Sequence, residues 1–200
     1  MREPFSKFIK MKLGDGLLLI TCGLPATMKT ETSEEISKIK GYPIIRSDLV
    51  RKEVLQNEDI FDEKIASSMD KRLLVYDETF RQAEESLSKK GNVIIDATFI
   101  TQSLRRRAAS IADRHNKAFV ILQTQRPRGI ALAKIAGRSK EDYESNALTE
   151  QAYVNNEKKF EEVDIEDLKA LYPQLSIIHL LLDTTQDTPG EWYIIGLKKR

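Results

Sequence analysis

Five short apolar runs along the chain have the length and composition of buried β-strands. They cover residues 17–22, 43–46, 92–96, 118–122 and 175–182. In the first of these runs apolar residues are almost continuous and do not alternate with polar ones, which is typical of a strand covered on both faces of a sheet. The pattern therefore predicts a sheet of five strands.

Helical periodicity lies between and after these runs. The clearest case is an apolar stripe at Leu73, Tyr76, Phe80, Ala83 and Leu87, whose spacing marks one face of a helix. Weaker helical patterns cover residues 30–40, 49–56, 104–115, 127–138, 149–160 and 167–172, and a short C-terminal helix is predicted around Trp192, Ile195 and Leu197.

Strands that alternate with helices predict an α/β fold, in which right-handed crossovers build a parallel sheet with helices on both faces. No internal repeat or linker interrupts the pattern, so residues 1–200 are predicted to form one domain. Residues 1–14 combine Phe5, Phe8 and Ile9 with three lysines. We interpret them as an N-terminal extension that rests on the domain; the alternative is a short amphipathic helix at a membrane surface.

Composition narrows the class of protein. The chain has 32 basic and 31 acidic residues, so its net charge of +1 gives no global attraction for nucleic acid or membranes. The only cysteine, Cys22, excludes an intrachain disulfide and fits a reducing compartment. His115 and His179 lack metal-ligand spacing. Because no signal-like segment and no apolar run of about 18 residues is present, we expect a cytoplasmic protein.

A phosphate-binding loop is the strongest chemical signal. The sequence GLPATMKT follows the first apolar run and nearly matches G-x-x-x-x-G-K-[ST], whose backbone N–H groups cradle phosphates while the Lys and Thr contact phosphate and Mg²⁺. A Gly-Pro turn with an exposed lysine is the alternative. The pattern predicts a nucleotide site at Gly23, Leu24, Pro25, Ala26, Thr27, Met28, Lys29 and Thr30.

Met28 stands where the pattern requires its second glycine. A glycine allows the backbone to approach a phosphate without a Cβ in the way. The Met28 side chain must therefore point away from the nucleotide or crowd it, and a positive φ would add strain of about 1 kcal/mol. Met28 therefore leaves three alternatives. Nucleotide binds more weakly, the loop has an adjusted shape, or nucleotide binding is lost.

Two carboxylates follow predicted strands. Asp48 comes after the second strand, and Arg51 lies about one helical turn later on the same side; Asp96 ends the third strand. Residues at the carboxyl ends of neighbouring parallel strands face one crevice. Asp48 is thus a candidate base for a substrate hydroxyl, oriented by Arg51, and Asp96 is a candidate Mg²⁺ ligand. The alternatives are a helix-capping Asp48 and a turn-forming Asp96.

Two groups of cations complete the candidates. Lys134 and Arg138 are four residues apart on one predicted helix, before the polar stretch 139–148, where they could close over phosphates. Arg105 belongs to a triplet, residues 105–107, early in another helix. A solvated helix face is the commoner outcome for both groups.

These segments, in this order, resemble the P-loop small-molecule kinases. The quoted segments are GLPATMKT, IIRSDLVRKEV, GNVIIDATF, LRRRAASIA and a lid containing SNA and KKFEEVD. The resemblance is to the predicted ATP-dependent kinases grouped with gluconate kinase, chloramphenicol phosphotransferase and zeta toxins. It implies a three-layer, adenylate-kinase-like P-loop NTPase fold with a five-stranded parallel sheet and a small helical lid at about residues 134–160.

The resemblance also implies functional residues, with ATP and Mg²⁺ as nucleotide and cofactor. Its catalytic residues fall on Asp48, Lys29 and Arg138, and its metal-binding positions on Thr30 and Asp96. Its substrate contacts fall on Asp48, Arg51, Thr98 and Arg105. Its adenine-side loop falls on residues 183–189, beginning at Asp183. Lys134 takes the place of a lid arginine and lacks the planar fork.

The first hypothesis is therefore an ATP-dependent kinase that transfers the γ-phosphate to a hydroxyl of a small molecule. Because Met28 replaces a glycine, the alternative is a catalytically impaired nucleotide-binding or regulatory module. A toxin-like kinase that acts on a nucleotide sugar is a third reading. A nucleic-acid acceptor is disfavoured, since no aromatic and basic platform accompanies the loop, and no membrane partner is expected.

Overall fold

The computed structural model describes residues 2–60, 65, 68–138 and 148–200. Its strands form one sheet that extends from the first described residues to the last. The strands are β1 (Glu3–Pro4), β2 (Leu17–Cys22), β3 (Ile44–Arg46), β4 (Val93–Asp96), β5 (Ala118–Gln125), β6 (Ile177–Asp183) and β7 (Tyr193–Lys199). Their order across the sheet is β1-β7-β6-β5-β2-β4-β3.

Eight α-helices are found in the described part of the chain. They are α1 (Phe5–Lys12), α2 (Lys29–Lys40), α3 (Ser47–Val54), α4 (Met69–Lys90), α5 (Gln102–Arg114), α6 (Arg128–Ala136), α7 (Glu150–Lys159) and α8 (Ile165–Leu171). A short 3₁₀ helix at Pro189–Glu191 precedes β7. None of these helices is both long and apolar enough to cross a bilayer, within the ranges given above.

The sheet has seven strands and is mixed, which corrects the prediction of five parallel strands. The five predicted strands are present as β2 to β6 and pair in parallel. Two further strands extend the edge beside β6: β7 runs antiparallel to β6, and β1 runs antiparallel to β7.

The predicted C-terminal helix is wrong, because Tyr193–Lys199 is strand β7. The spacing of Trp192, Ile195 and Leu197 suggested one helical face, but Ile194 is the fully buried member of this segment. It lies opposite Leu182 of β6. The open edge of β6 supplies hydrogen-bond partners, and this tertiary feature outweighs a weak local pattern.

The N-terminal residues pack on the domain. Phe5, Phe8 and Ile9 of α1 are buried, and the Phe5 ring meets Trp192 edge to face at 5.7 Å. The backbone N–H of Phe5 donates to the carbonyl of Trp192 at 2.9 Å. The apolar residues of α1 are therefore buried against the rest of the protein.

Apolar cores lie on both faces of the sheet. Along β2, Leu18 and Ile20 enter one core, and Leu17 and Leu19 enter the other. This alternation explains why the whole strand is apolar, as predicted for a strand covered on both sides. Layers of helices on a central sheet confirm the α/β class.

The helix around the predicted stripe is longer than the stripe and is rotated slightly from it. Helix α4 buries Tyr76, Phe80, Ala83 and Leu87 as expected, but Leu73 is 42% exposed. Val75 and Thr79 are buried instead. This rotation turns the N-terminal part of α4 toward α3, where Val75 packs against Val50.

The carboxyl ends of the central strands meet at one edge of the sheet. Arg46, the last residue of β3, lies opposite Asp96, the last residue of β4. Cys22, the last residue of β2, is paired with Gln123 of β5. The segments that follow β2, β3 and β4 therefore share one crevice, where open parallel sheets place their ligand sites.

Candidate active site

Gly23 begins the loop between β2 and α2 and has no room for a side chain. Its φ is +144°, and a Cβ there would lie 2.8 Å from Thr124 Oγ1 and 2.9 Å from the Thr124 carbonyl oxygen. The N–H of Gly23 donates to the carbonyl of Thr98 at 3.1 Å. Thr27 Oγ1 lies 2.7 Å from Thr124 Oγ1. Close packing against β5 thus fixes the path of the loop.

Met28 occupies the left-handed region, with φ 63° and ψ 30°. The positive φ that would strain a non-glycine residue is therefore present. The side chain is only 4% exposed and belongs to the same buried apolar cluster as Ile36 and Leu182. Its carbonyl accepts the first hydrogen bond of α2, from the N–H of Thr32 at 3.0 Å. Met28 also contributes to the wall of the cavity described below.

Lys29, the first residue of α2, folds back onto the loop. Its Nζ donates to the carbonyl of Leu24 at 2.6 Å. Burial lowers the pKa of Lys29, and the carboxylates of Asp96 and Asp48 oppose that shift. The ammonium thus lies among loop carbonyls and carboxylates at a helix N-terminus, the place where a phosphate is best stabilised.

Thr30 and Asp96 form a hydroxyl–carboxylate pair. Thr30 Oγ1 donates to Asp96 Oδ2 at 2.6 Å, and Thr21 Oγ1 donates to Asp96 Oδ1 at 3.3 Å. Asp96 is 6% exposed, and this burial raises its pKa. One carboxylate, one hydroxyl and phosphate oxygens are the ligand types that Mg²⁺ takes in nucleotide sites, so these residues fit that ion.

A site made only of protein ligands is not found. Among the described residues, no group of three or more His, Cys, Asp or Glu side chains is placed to hold a metal ion. The oxygens of Thr30 and Asp96 would have to be supplemented by phosphate and water, as is usual for Mg²⁺.

Asp48 lies in the first turn of α3, directly after β3. The N-cap of this helix is Arg46, so Asp48 is inside the helix and is not its cap. Burial, and then the neighbouring charge of Asp96, raises the pKa of Asp48 to about 6; Arg51 and Lys29 oppose the shift. A carboxyl with a pKa in this range can accept a proton near neutral pH.

One cavity of about 410 Å³ brings most of the predicted residues together. Its lining includes both predicted carboxylates and the lysine and threonine of the loop. The predicted residues in the lining are Pro25, Ala26, Met28, Lys29, Thr30, Asp48, Arg51, Asp96, Thr98 and Arg138. Gly23, Leu24 and Thr27 are not in the lining, but they shape the loop behind it.

Arg105 is placed away from this cavity and acts on the backbone. It is fully buried, and its Nε donates to the carbonyl of Phe99 at 3.0 Å. Its Nη1 and Nη2 donate to the carbonyls of Glu162 and Glu161 at 2.9 and 2.7 Å. Because its donors are directed into the protein, Arg105 supports the turn after β4, where Phe99 has a φ of +43°. Arg105, a predicted substrate contact, is thus not in the lining of the cavity in this structure.

Asp183 also lies outside the lining of the cavity. Its carboxylate accepts hydrogen bonds from the N–H of Thr185 at 3.0 Å and the hydroxyl of Thr185 at 2.7 Å. Asp183 thereby shapes the start of the loop 183–189. The same loop is held at its centre by Trp192 Nε1, which donates to the carbonyl of Gln186 at 2.8 Å.

Lys134 contacts the phosphate-binding loop region directly. Its Nζ lies 2.5 Å from Glu31 Oε1 and 3.2 Å from Met28 Sδ. Arg138, four residues later, lines the cavity, as do Ala152 and Asn156 of α7. Part of the predicted lid therefore borders the cavity. The predicted polar stretch 139–148 lies outside the described residues except for Leu148.

Sequence reasoning missed several charged and aromatic residues of the cavity: Arg46, Arg72, Tyr76, Glu31 and Glu34. Arg46 is the last residue of a strand and directly precedes Ser47-Asp48. That position could have identified it as a residue of the cleft. Arg72 lies four residues before the buried Tyr76, so both belong to one face of α4. The position of Arg72 on the same helix face as the buried apolar stripe could have indicated that it reaches the cavity.

Solved structures similar to this fold include two kinases and Kti12. A gluconokinase from Sinorhizobium meliloti is 16% identical, with 87% of this chain and 86% of that chain covered at a TM-score of 0.59. A sugar kinase from Janibacter is 13% identical, with 88% of each chain covered at a TM-score of 0.59. Kti12 from Chaetomium thermophilum, solved with ADP-AlF3, is 19% identical over 74% of this chain and 82% of that chain, with a TM-score of 0.52.

These similarities are similarities of fold. Among curated protein sequences, none is significantly similar to this one. A family profile described as an AAA domain matches residues 18–163, which contain the phosphate-binding loop, Asp48, Asp96 and the whole of the predicted lid region. Together with the kinase folds, this match shows that the chain belongs to that AAA-domain family of P-loop proteins and has the small-molecule kinase type of fold.

Proposed function

We propose that the protein is an ATP-dependent phosphotransferase that moves the γ-phosphate of ATP to a hydroxyl group of a small molecule. The observation that carries the proposal is the convergence of Lys29, Asp48 and the Thr30–Asp96 pair on one cavity. The sugar-kinase folds support the same general activity, and the ADP-AlF3 complex of Kti12 supports nucleotide binding.

In this proposal the loop 23–30 binds the phosphates. Backbone N–H groups and the N-terminus of α2 attract the anionic phosphates, and Lys29 releases the Leu24 carbonyl to bind them. Loop 183–189 lies on the adenine side. Mg²⁺, held by Thr30 and Asp96, would offset phosphate charge when bound.

Asp48 is the proposed base. Its carboxylate accepts the proton of the acceptor hydroxyl as the hydroxyl oxygen forms its bond to the γ-phosphorus. The bond between that phosphorus and the β,γ-bridging oxygen breaks, and its electron pair leaves with ADP. Lys29 and Arg138 stabilise the charge on the transferring group, and Arg51 and Thr98 contact the acceptor.

Binding and turnover of ATP test the proposal directly. Calorimetry with ATP and Mg²⁺ should show binding that Lys29→Met weakens at least tenfold. ADP release should then depend on an acceptor from a panel of sugars, sugar acids, nucleotide sugars and nucleosides. No binding of ATP by the wild-type protein at millimolar concentration would overturn the proposal.

A nucleotide-binding module without transfer activity is the second candidate. The left-handed Met28 favours it, since a buried side chain stands where the loop pattern has none. The intact set of Lys29, Thr30, Asp48 and Asp96 favours the kinase. Tight ATP binding with no acceptor-dependent ADP release over the whole panel would support the module.

A further inference from the structure

The acceptor end of the cavity contains two guanidinium groups that have not been assigned a common role. Arg51 lies on α3 and Arg72 on α4, and the two helices are held together by the packing of Val50 against Val75. Both arginines line the cavity beside Asp48. The helix packing therefore fixes two cations next to the proposed base.

Arg51 is buried, and one of its hydrogen-bond donors has no partner. The residue is 9% exposed, and its Nη1 has no hydrogen-bond partner. Leaving such a charged donor unsatisfied is costly, and a buried polar group of this kind calls for an explanation. No salt bridge to Arg51 or Arg72 is formed within the described residues.

The two arginines also influence each other. Burial lowers the pKa of the Arg72 guanidinium, and the positive charge of Arg51 lowers it further. Like charges in one partly dry cavity repel, so the arrangement is unfavourable unless an anion lies between them. Asp48 is the carboxylate of this end; the charge of Arg51 lowers its pKa, but burial and the charge of Asp96 raise that pKa overall.

Two further cations of the cavity, Arg46 and Lys29, have acidic neighbours. Arg46 lies 3.7 Å from Glu34 and 3.9 Å from Asp96, and Lys29 is influenced by both Asp96 and Asp48. Lys29 and Arg51 share the charge of Asp48, so among the described residues the positive charge of Arg51 and Arg72 exceeds the negative charge beside them. A guanidinium binds planar oxyanions in a forked geometry, so this surplus specifies a carboxylate or a phosphate better than a neutral group.

We propose that the acceptor is an anion, and that Arg51 and Arg72 together bind its carboxylate or phosphate group while its hydroxyl faces Asp48. The inference deepens the proposed phosphotransferase function and rests on it for the identity of the site. Arg72 becomes a specificity-determining residue, and neutral polyols become poor acceptors.

Inorganic phosphate is the first probe, measured by calorimetry on the whole chain. The variant Lys29→Met weakens phosphate binding at the nucleotide loop, so that the remaining binding reports the acceptor end. On this background, changing Arg51 and Arg72 to Gln should weaken the remaining binding at least tenfold. Arg81→Gln removes the same charge from an exposed position of α4 and serves as the matched control.

One result would overturn the inference: phosphate binding in Lys29→Met that stays equally tight when Arg51 and Arg72 are both changed to Gln. Circular dichroism checks that each variant is folded. If the loss of Arg51 prevents folding, Arg72→Gln alone carries the test, because Arg72 is only half-buried.

Matched acceptors separate the two anion classes and separate this inference from the proposed function. Glycerol 3-phosphate is compared with glycerol, and gluconate with glucitol, by calorimetry without ATP. The anionic member of at least one pair should bind at least tenfold more tightly, and Arg72→Gln should remove that preference. Equal affinities within both pairs would refute the anionic acceptor even if ATP binds. Preference for the anion without any ATP binding would instead refute the kinase.

Discussion

The two ends of the cavity differ in how their polar groups are satisfied. At the phosphate-binding end, Lys29 donates to Leu24, Thr30 donates to Asp96, and Lys134 pairs with Glu31. At the acceptor end, the guanidinium of Arg51 retains a buried donor without a partner.

This difference separates two ways of preparing a binding site. The phosphate-binding end must exchange internal hydrogen bonds for ligand contacts, so that ligand affinity is reduced by the bonds that it replaces. The acceptor end has fewer such bonds to break, and its cations already lie where an anion would bind. The first end is held mainly by its own hydrogen bonds and ion pairs, although Arg46 Nε, 3.9 Å from Asp96, also lacks a hydrogen-bond partner. The second end gains more of its stabilisation from a ligand.

Removal of the Asp48 carboxylate should give the largest effect on the acceptor end. We expect Asp48→Asn to lower acceptor-dependent turnover by about 10²–10⁴-fold, because general base catalysis contributes that much. The dissociation constant for ATP, measured by calorimetry, should change much less. Glu53→Gln, at an exposed position of the same helix, is the control. Similar losses in both variants would mean that α3 is perturbed as a whole.

A side chain at Gly23 should break the phosphate-binding end. Gly23→Ala forces a Cβ against the backbone of Thr124 at a positive φ, so we expect a loss of about 2–4 kcal/mol in the free energy of unfolding. Chemical denaturation measures this change. Gly14→Ala, where no atom lies within 4 Å of the added Cβ, should change stability by less than about 0.5 kcal/mol. Equal effects at both positions would contradict the packing argument.

The pH dependence of turnover and of stability tests the role of Asp48 at the acceptor end. Its pKa of about 6 predicts that turnover falls about tenfold per pH unit below that value, as the base becomes protonated. Because the pKa of a carboxyl is raised in the folded state, ionisation of Asp48 lowers stability as the pH rises. Asp48→Asn should therefore melt at a higher temperature than the wild type above pH 6. That advantage should vanish below about pH 4, where Asp48 is protonated in both states. A turnover profile that stays flat down to pH 5 would exclude Asp48 as the base.

Met28 gives the smallest expected effect and tests whether the loop is built around it. Met28→Gly relieves a left-handed strain of about 1–2 kcal/mol but removes a buried side chain whose truncation costs about 2–5 kcal/mol. We expect a net loss of about 1–3 kcal/mol in stability and no tightening of ATP binding. Met28→Leu keeps the packing and serves as the comparison. A clearly tighter ATP complex of Met28→Gly would show that the side chain only crowds the loop.

Local patterns predicted the central strands and the strand–loop–helix context of residues 23–30, for the same reason. A strand buried on both faces must be apolar throughout, and a phosphate loop needs its residues in a fixed local order, so both leave continuous marks in the sequence. The sequence patterns of β7 and β1 are weaker, because those strands form by pairing with the edge of the folded sheet, and local sequence does not reveal that edge.

The acceptor end is built from distant helices, and that explains what was missed. Arg72 reaches the cavity only because α4 is rotated toward α3. Arg46 lies at the cavity because strand pairing places it opposite Asp96. Arg105 shows the converse: it follows a motif in the expected order, yet its long side chain turns inward to backbone carbonyls. Side-chain direction of this kind depends on packing and not on spacing.

Trp192 gives the protein a built-in optical probe. It is the only tryptophan in the chain, it is fully buried between the N-terminal extension and the loop 183–189, and its indole N–H is bonded to Gln186. Its emission should therefore be blue-shifted in the native state and red-shifted on unfolding. A change in emission on adding nucleotide would report movement of the loop 183–189 without any label.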